Sequence, residues 1–159
     1  MVQGVLIEDG KIHNTNPATG ELIEPSVSIT SSEQLEDVIA TANASQQSWS
    51  DKTLSERVAA IREGLIALEP IAGELASTIT QEMGKISAEA KLEVSNAINL
   101  QGGWLDMVKE ANEDLHLGGG EEGMAESVVI RDPLGVVVVI SPWNVSVHVS
   151  AIASFNGLS

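Results

Sequence analysis

Between Thr30 and Leu105 apolar side chains recur at steps of three and four residues, the period of helices with one buried face. Between Val136 and Ile140 they follow one another without a polar break. The first pattern predicts helices with readable starts. A capping box, either Thr30 with Glu33 or Ser31 with Gln34, opens the first, and Leu35, Val38, Ile39 and Ala42 share its apolar face. Thr53 with Glu56 opens the second, whose stripe is Val58, Ile61, Leu65 and Leu68. Pro70 suits the first turn of a third, where its missing N–H costs nothing. Ile71, Leu75, Ile79 and Met83 line that helix, and Gly84 is placed to stop it in a left-handed conformation. A fourth starts at Ser87, with Val94, Ile98, Gln101 and Leu105 inward and Glu89, Lys91 and Glu93 outward. Gly102-Gly103 interrupts it; each Gly costs about 1 kcal/mol against Ala in a helix interior, so the pair marks a break or a close helix contact.

The flanks read differently. Residues 1–30 predict short strands and turns: Asn16-Pro-Ala-Thr-Gly-Glu21 is turn chemistry, and Pro25 makes "ELIEPSVSI" an edge strand or a break. "HLGGGEEG" predicts a loop, "ESVVIRD" a strand, and Asp132-Pro-Leu-Gly135 a turn. "VVVVI" predicts a strand buried on both faces, as in a parallel sheet. A hairpin joining the last two strands is the alternative, but it leaves the valine strand with one open edge.

Charge narrows the partners. Eight Lys and Arg against 23 Asp and Glu give a net charge of −15, so nucleic acid and anionic membrane surfaces are not expected partners. No basic and apolar leader opens the chain, and no apolar run approaches the roughly 20 residues of a membrane span, so a cytoplasmic protein is expected. The absence of cysteine excludes thiolate metal sites and a cysteine nucleophile among these residues.

Most candidate motifs carry little. Gly118 to Gly123 matches G-x-G-x-x-G, but no strand precedes it and Glu121 and Glu122 repel a pyrophosphate. Gly84-Lys85 lacks the rest of a P-loop and predicts a helix stop followed by a surface lysine. His13, His116 and His148 are scattered, with no ligand spacing for a metal. The acidic pairs Glu113/Asp114 and Glu121/Glu122 predict solvated loops.

The run Ile140-Ser-Pro-Trp-Asn144 is more informative. Pro142 cannot donate to a ladder, so pairing ends there, and ligands of open α/β sheets bind beyond such strand ends. Two readings stand. In one, Trp143 plugs the core and Asn144 caps the next helix. In the other, Trp143 offers a flat apolar wall and Asn144 a non-titrating donor for a developing oxyanion, where one donor is worth roughly 3–4 kcal/mol.

"NPATGE", "EMGK" (Glu82 to Lys85), "AEAKLEV" and "DPLGVVVVISPWN", in that order, resemble the N-terminal portion of NAD(P)-dependent aldehyde dehydrogenases over essentially the whole chain. The resemblance implies an incomplete α/β architecture, a helical N-terminal segment leading into the first strand of a Rossmann-like cofactor-binding domain. Residues 1–117 would supply its N-terminal strands and helices, 118–132 an oligomerisation arm, and 133–159 the first strand, the Pro-Trp-Asn loop and the start of a helix. It further implies that Ile140, Ser141, Pro142 and Trp143 line the nicotinamide and ribose of NAD or NADP, that Asn144 holds the oxyanion, that the substrate is a small aldehyde, and that a full-length protein is a homo-oligomer. The family usually follows Pro-Trp-Asn with an aromatic and a proline, where Val145 and Ser146 stand here. The family's second strand and its lysine, glycine loop, general-base glutamate and nucleophilic cysteine have no counterpart among these residues. The expectation is therefore an N-terminal fragment of an oxidoreductase, inactive alone; the alternative is a non-catalytic helical interaction module derived from such an enzyme.

Overall fold

The computed structural model describes residues 6–100, 102–118, 127–130 and 134–153. Three strands come first: β1 (Leu6–Glu8), β2 (Lys11–Thr15) and β3 (Leu22–Ser28) form an antiparallel sheet in that order. Asp9 and Gly10 both have positive φ, which matches the twist of a two-residue hairpin between β1 and β2. Pro25 lies in β3, at the edge of the sheet, and the β2–β3 register shifts between Ile12 and Asn14. A residue that cannot donate is tolerated there because the missing bond falls at an edge or bulge.

Two long helices follow, each started by a capping box. In α1 (Ser32–Ser50) the Ser31 hydroxyl accepts from the Gln34 N–H, and the Gln34 side chain accepts from the Ser31 N–H. In α2 (Leu54–Ile66) Thr53 and Glu56 do the same. Pro70 falls in a 3₁₀ turn, Glu69–Ile71, that leads into α3 (Ala72–Met83). Then come α4 (Ser87–Asn99) and α5 (Gly103–Ala111). The diglycine is a break: Gly102 caps α5, so Leu105 reaches the core from a separate helix; Gln101 lies outside the described residues.

Helix α4 is the centre of the packing. Ala97 and Leu100 join Val58, Leu65 and Leu105 on one side, while Ala90, Val94 and Ile98 join Ala76 and Ile79 on the other. The last helix, α6 (Ser146–Ala153), lies on α4 and closes the gap, because Val147 packs against both clusters and Ala151 against the first. An Arg62–Asp106 ion pair of 2.8 Å ties α2 to α5, but both side chains are solvated and such pairs contribute about 0–1 kcal/mol.

Four expectations are corrected. Helix α1 has the predicted apolar stripe but buries none of it; Leu35, Val38 and Ile39 stay exposed. His116 and Leu117, read as the start of a loop, lie in β4 (Leu115–Leu117), which pairs antiparallel with β5 (Ser127–Val129); residues 119–126 lie outside the described residues. Among the described residues β5 pairs with β4, and the valine run of the alternative hairpin does not pair with it. Val136–Ile140 itself belongs to no sheet among the described residues and is exposed, Val138 at 81%. Its residues favour a strand, but a strand needs a neighbour to satisfy its backbone groups, and no described strand runs beside it. No described helix is long and apolar enough to cross a membrane.

The α2 cap yields a prediction. The Thr53 backbone N–H donates to the Glu56 carboxylate at 2.7 Å and the Thr53 hydroxyl at 2.8 Å. Both bonds, with the charge of Lys52, hold the Glu56 carboxyl below its ordinary value. A depressed carboxyl stabilises the fold above its unfolded pKa of about 4.3 and loses that contribution as pH falls through the lowered folded value. Glu56→Gln keeps the hydrogen-bond pattern but not the charge. Thermal melts followed by circular dichroism should therefore show Glu56→Gln below the parent at neutral pH and equal to it in strong acid. A gap that persists in acid would assign the effect to shape rather than charge.

Candidate functional site

Three loops converge beside the N-terminal end of α4. The first is the turn Asn16–Gly20, folded by its own sequence: the Asn16 side-chain oxygen accepts from the Ala18 N–H at 2.9 Å, and the Asn16 carbonyl accepts from the Gly20 N–H at 2.8 Å. The second is the link between α3 and α4. Gly84 ends α3 at φ +78, and its N–H donates to the Thr80 carbonyl. The Pro17 ring of the first loop sits against it, so close that a Cβ on Gly84 would lie 2.9 Å from Pro17 Cγ. Glycine is needed there twice, for the positive φ and for the contact. Gly84→Ala should lower the unfolding free energy by about 1–3 kcal/mol. Urea unfolding reads this directly; an unshifted midpoint would mean the two loops do not meet.

The third loop is Ser141–Asn144, and Lys85 joins it to the second. Lys85 Nζ donates to the Asn144 backbone carbonyl at 2.7 Å and to Glu93 Oε2 on α4. The other carboxylate oxygen, Glu93 Oε1, accepts from the Val147 N–H at 3.0 Å. Val147 is the second residue of α6, so a carboxylate from α4 takes one of the four N–H groups that the start of a helix leaves unpaired. Its negative charge also faces the positive end of the α6 dipole. Glu93 is 6% exposed and the Lys85 side chain 11%. Both had been expected at the surface, so both are corrections. The available signal was the position of Glu93, three residues after Ala90 and four before Ala97, on the face of α4 that goes inward.

The loop residues singled out by sequence lie together on the outer side of this junction. Ile140 is 91% exposed and Trp143 79%. Trp143 is therefore no core plug. Asn144 is exposed and stands two residues before α6, so it does not occupy the capping position, while Glu93 serves that N-terminus. The Ser141 and Ser150 hydroxyls share a hydrogen bond of 2.7 Å, which ties the loop to α6 again. Beneath Trp143 a cleft of about 500 Å³ is walled by Asn14 and Pro17, by Leu75, Thr78, Ile79, Glu82 and Met83 of α3, and by Ser146 and Val147. His13, His116 and His148 stand on β2, β4 and α6, and the described residues contain no cluster of three or more His, Asp or Glu that could hold a metal.

Chemically the surface offers an uncovered apolar wall, Ile140 and Trp143, beside a neutral amide donor, Asn144. It suits a flat, partly apolar ring and an oxygen that gains negative charge. Lys85, the basic side chain at this junction, is held by Glu93 and the Asn144 carbonyl.

The chain is similar to known proteins over most of its length. The model of the aldehyde dehydrogenase family matches residues 6–158. The mitochondrial succinate-semialdehyde dehydrogenase of Oryza sativa is 34% identical over 137 residues, 86% of this chain and 25% of that protein. The NADP(+) succinate-semialdehyde dehydrogenase of Deinococcus radiodurans is 32% identical over 129 residues, 81% of this chain and 26% of that protein. The chain thus spans about a quarter of the length of these relatives. Among solved structures, the succinate-semialdehyde dehydrogenase of Burkholderia pseudomallei superimposes with a TM-score of 0.79 at 28% identity, covering 94% of this chain and 31% of that one. The NADP-dependent glyceraldehyde-3-phosphate dehydrogenase of Bacillus halodurans, complexed with NADP, gives 0.76 at 29% identity, covering 90% and 30%.

Proposed function

This chain belongs to the aldehyde dehydrogenase family, and from that premise we propose that it is the N-terminal, cofactor-facing part of an enzyme that oxidises a semialdehyde to a carboxylic acid with NAD(P)+. The observation that carries the proposal is the junction itself. Pro17, Gly84-Lys85 and the Ser141–Asn144 loop, distant in sequence, meet, and Trp143 and Asn144 of that loop are both exposed. Relatives named for succinate semialdehyde and NADP(+) support the substrate and cofactor class.

Each residue has a stated part. Ile140 and Trp143 give the nicotinamide and ribose end of NAD(P) an apolar surface, with Ser141 and Pro142 shaping the backbone between them. When bound, the cofactor supplies the hydride acceptor. Asn144 Nδ2 donates to the carbonyl oxygen of the aldehyde as a nucleophile adds to it. A neutral amide stabilises the oxyanion without giving up its proton, over the whole pH range of the enzyme. A cysteine nucleophile would belong to the remaining part of the site, since these residues include no cysteine. The exposed Val136–Ile140 run is in this reading a strand awaiting the sheet that completes the cofactor domain. Residues 118–132, which include β5, are proposed as an oligomerisation arm.

The 159-residue chain alone, mixed with succinate semialdehyde and NAD+ or NADP+, should give no absorbance rise at the wavelength of the reduced cofactor. Reproducible turnover would overturn the proposal that its site is incomplete.

A further inference from the structure

The Lys85–Glu93 pair has no assigned part in the reaction, yet it touches the loop at both ends. An ammonium has three donors, and two of these go to Glu93 Oε2 and the Asn144 carbonyl. The carboxylate uses its second oxygen on the Val147 N–H. The backbone from 144 to 147 is thus gripped at its carbonyl end by a cation and at its N–H end by an anion. The grip is itself fixed. Lys85 sits in the three-residue link 84–86, pinned by the left-handed Gly84 against Pro17, and Glu93 sits in the most buried stretch of α4.

Burying such a pair gains little over two apolar side chains of similar volume. Stability therefore does not account for a Lys and a Glu at these two places. What apolar side chains could not do is bond the backbone on both sides of residue 145. We propose that Lys85 and Glu93 are positioning residues: they set the path of the chain through Asn144–Val147 and so aim the Asn144 side-chain amide at the reacting oxygen. The part about aim rests on the function proposed for Asn144; the grip on the backbone does not.

The two are separable by experiment on the 159-residue chain, without turnover. Lys85→Met/Glu93→Leu removes both charges together, so the fold is expected to keep its urea midpoint near that of the parent. In the same variant the amides of 144–150 should exchange with deuterium faster by on the order of tenfold or more, with α2, α3 and α5 unchanged. The Asn144 side-chain resonances in a proton–nitrogen spectrum should move as well. Lys85→Arg, which keeps a donor and a charge, should recover part of the protection. Protection at 144–150 equal to the parent in the double variant would overturn the proposal. So would a loss spread evenly over α2–α5, which would make the pair a fold-wide stabiliser. If the grip is found but Asn144 proves dispensable for turnover, only the functional reading of Asn144 fails.

Discussion

Lys85→Met alone is expected to lower the unfolding free energy by about 3–5 kcal/mol. The variant leaves the Glu93 carboxylate, 4% exposed at its side chain, without a counter-charge in the middle of α4. It also strips the Asn144 carbonyl of its ammonium donor. Glu93 lies among the buried residues Ala90, Val94 and Ala97 of α4, so its carboxylate has little access to water. The control is Arg62→Met, which breaks the exposed pair with Asp106 and should cost no more than about 1 kcal/mol. Urea unfolding of both variants, followed by circular dichroism, gives the comparison. Equal small losses would mean that water reaches Lys85 and Glu93, and the grip on the loop would lose its physical basis.

The contrast between these two pairs shows what a sequence reveals and what it hides. Ser31 with Gln34 and Thr53 with Glu56 could be read because a capping box closes within four residues. Gly84 could be read because its neighbours already demanded a helix stop. Gly102-Gly103 left two readings open, a break or a close helix contact, and the structure shows the break between α4 and α5. The Lys85–Glu93 pair was hidden because its meaning lies in a loop 59 residues away from Lys85 and 54 from Val147's carboxylate partner. Helical spacing alone puts Glu93 between Ala90 and Ala97; the outward assignment followed the charge instead of the period. The valine run shows the opposite failure. Its composition favours a strand, but strand formation is a property of two segments, and the described residues supply only one. The stripe of α1 is the same case on a helix: amphipathic, and uncovered. The three-residue strand β4 was too short to show any period and became a strand only through β5.

Within the candidate site, the loop itself was legible and its support was not. Ile140, Trp143 and Asn144 are exposed, although the strand expected before Pro142 is not formed among the described residues. The cleft beneath Trp143 could not be anticipated, since its walls come from β2, the Pro17 turn, α3 and the start of α6.

The second large effect belongs to Asn144. Asn144→Ala removes a donor that the proposed reaction uses most when the aldehyde oxygen carries its greatest charge. Losing one such donor costs about 10²–10³ in kcat, roughly 3–4 kcal/mol of transition-state stabilisation. The ground-state aldehyde carries little charge on that oxygen, so KM should change far less than kcat. Asn144→Asp should be at least as damaging, because it places a negative charge against the oxyanion. Neither variant should disturb folding, since the Asn144 side chain is exposed and Lys85 binds the backbone carbonyl that every residue keeps.

The most direct test places this chain in the matching N-terminal segment of the Deinococcus radiodurans relative and measures kcat for succinate semialdehyde with NADP+, for the parent chimera and for its Asn144→Ala variant. The account predicts turnover by the parent and a fall of about two to three orders of magnitude in the variant at nearly constant KM. An Asn144→Ala chimera that turns over as fast as its parent would contradict it.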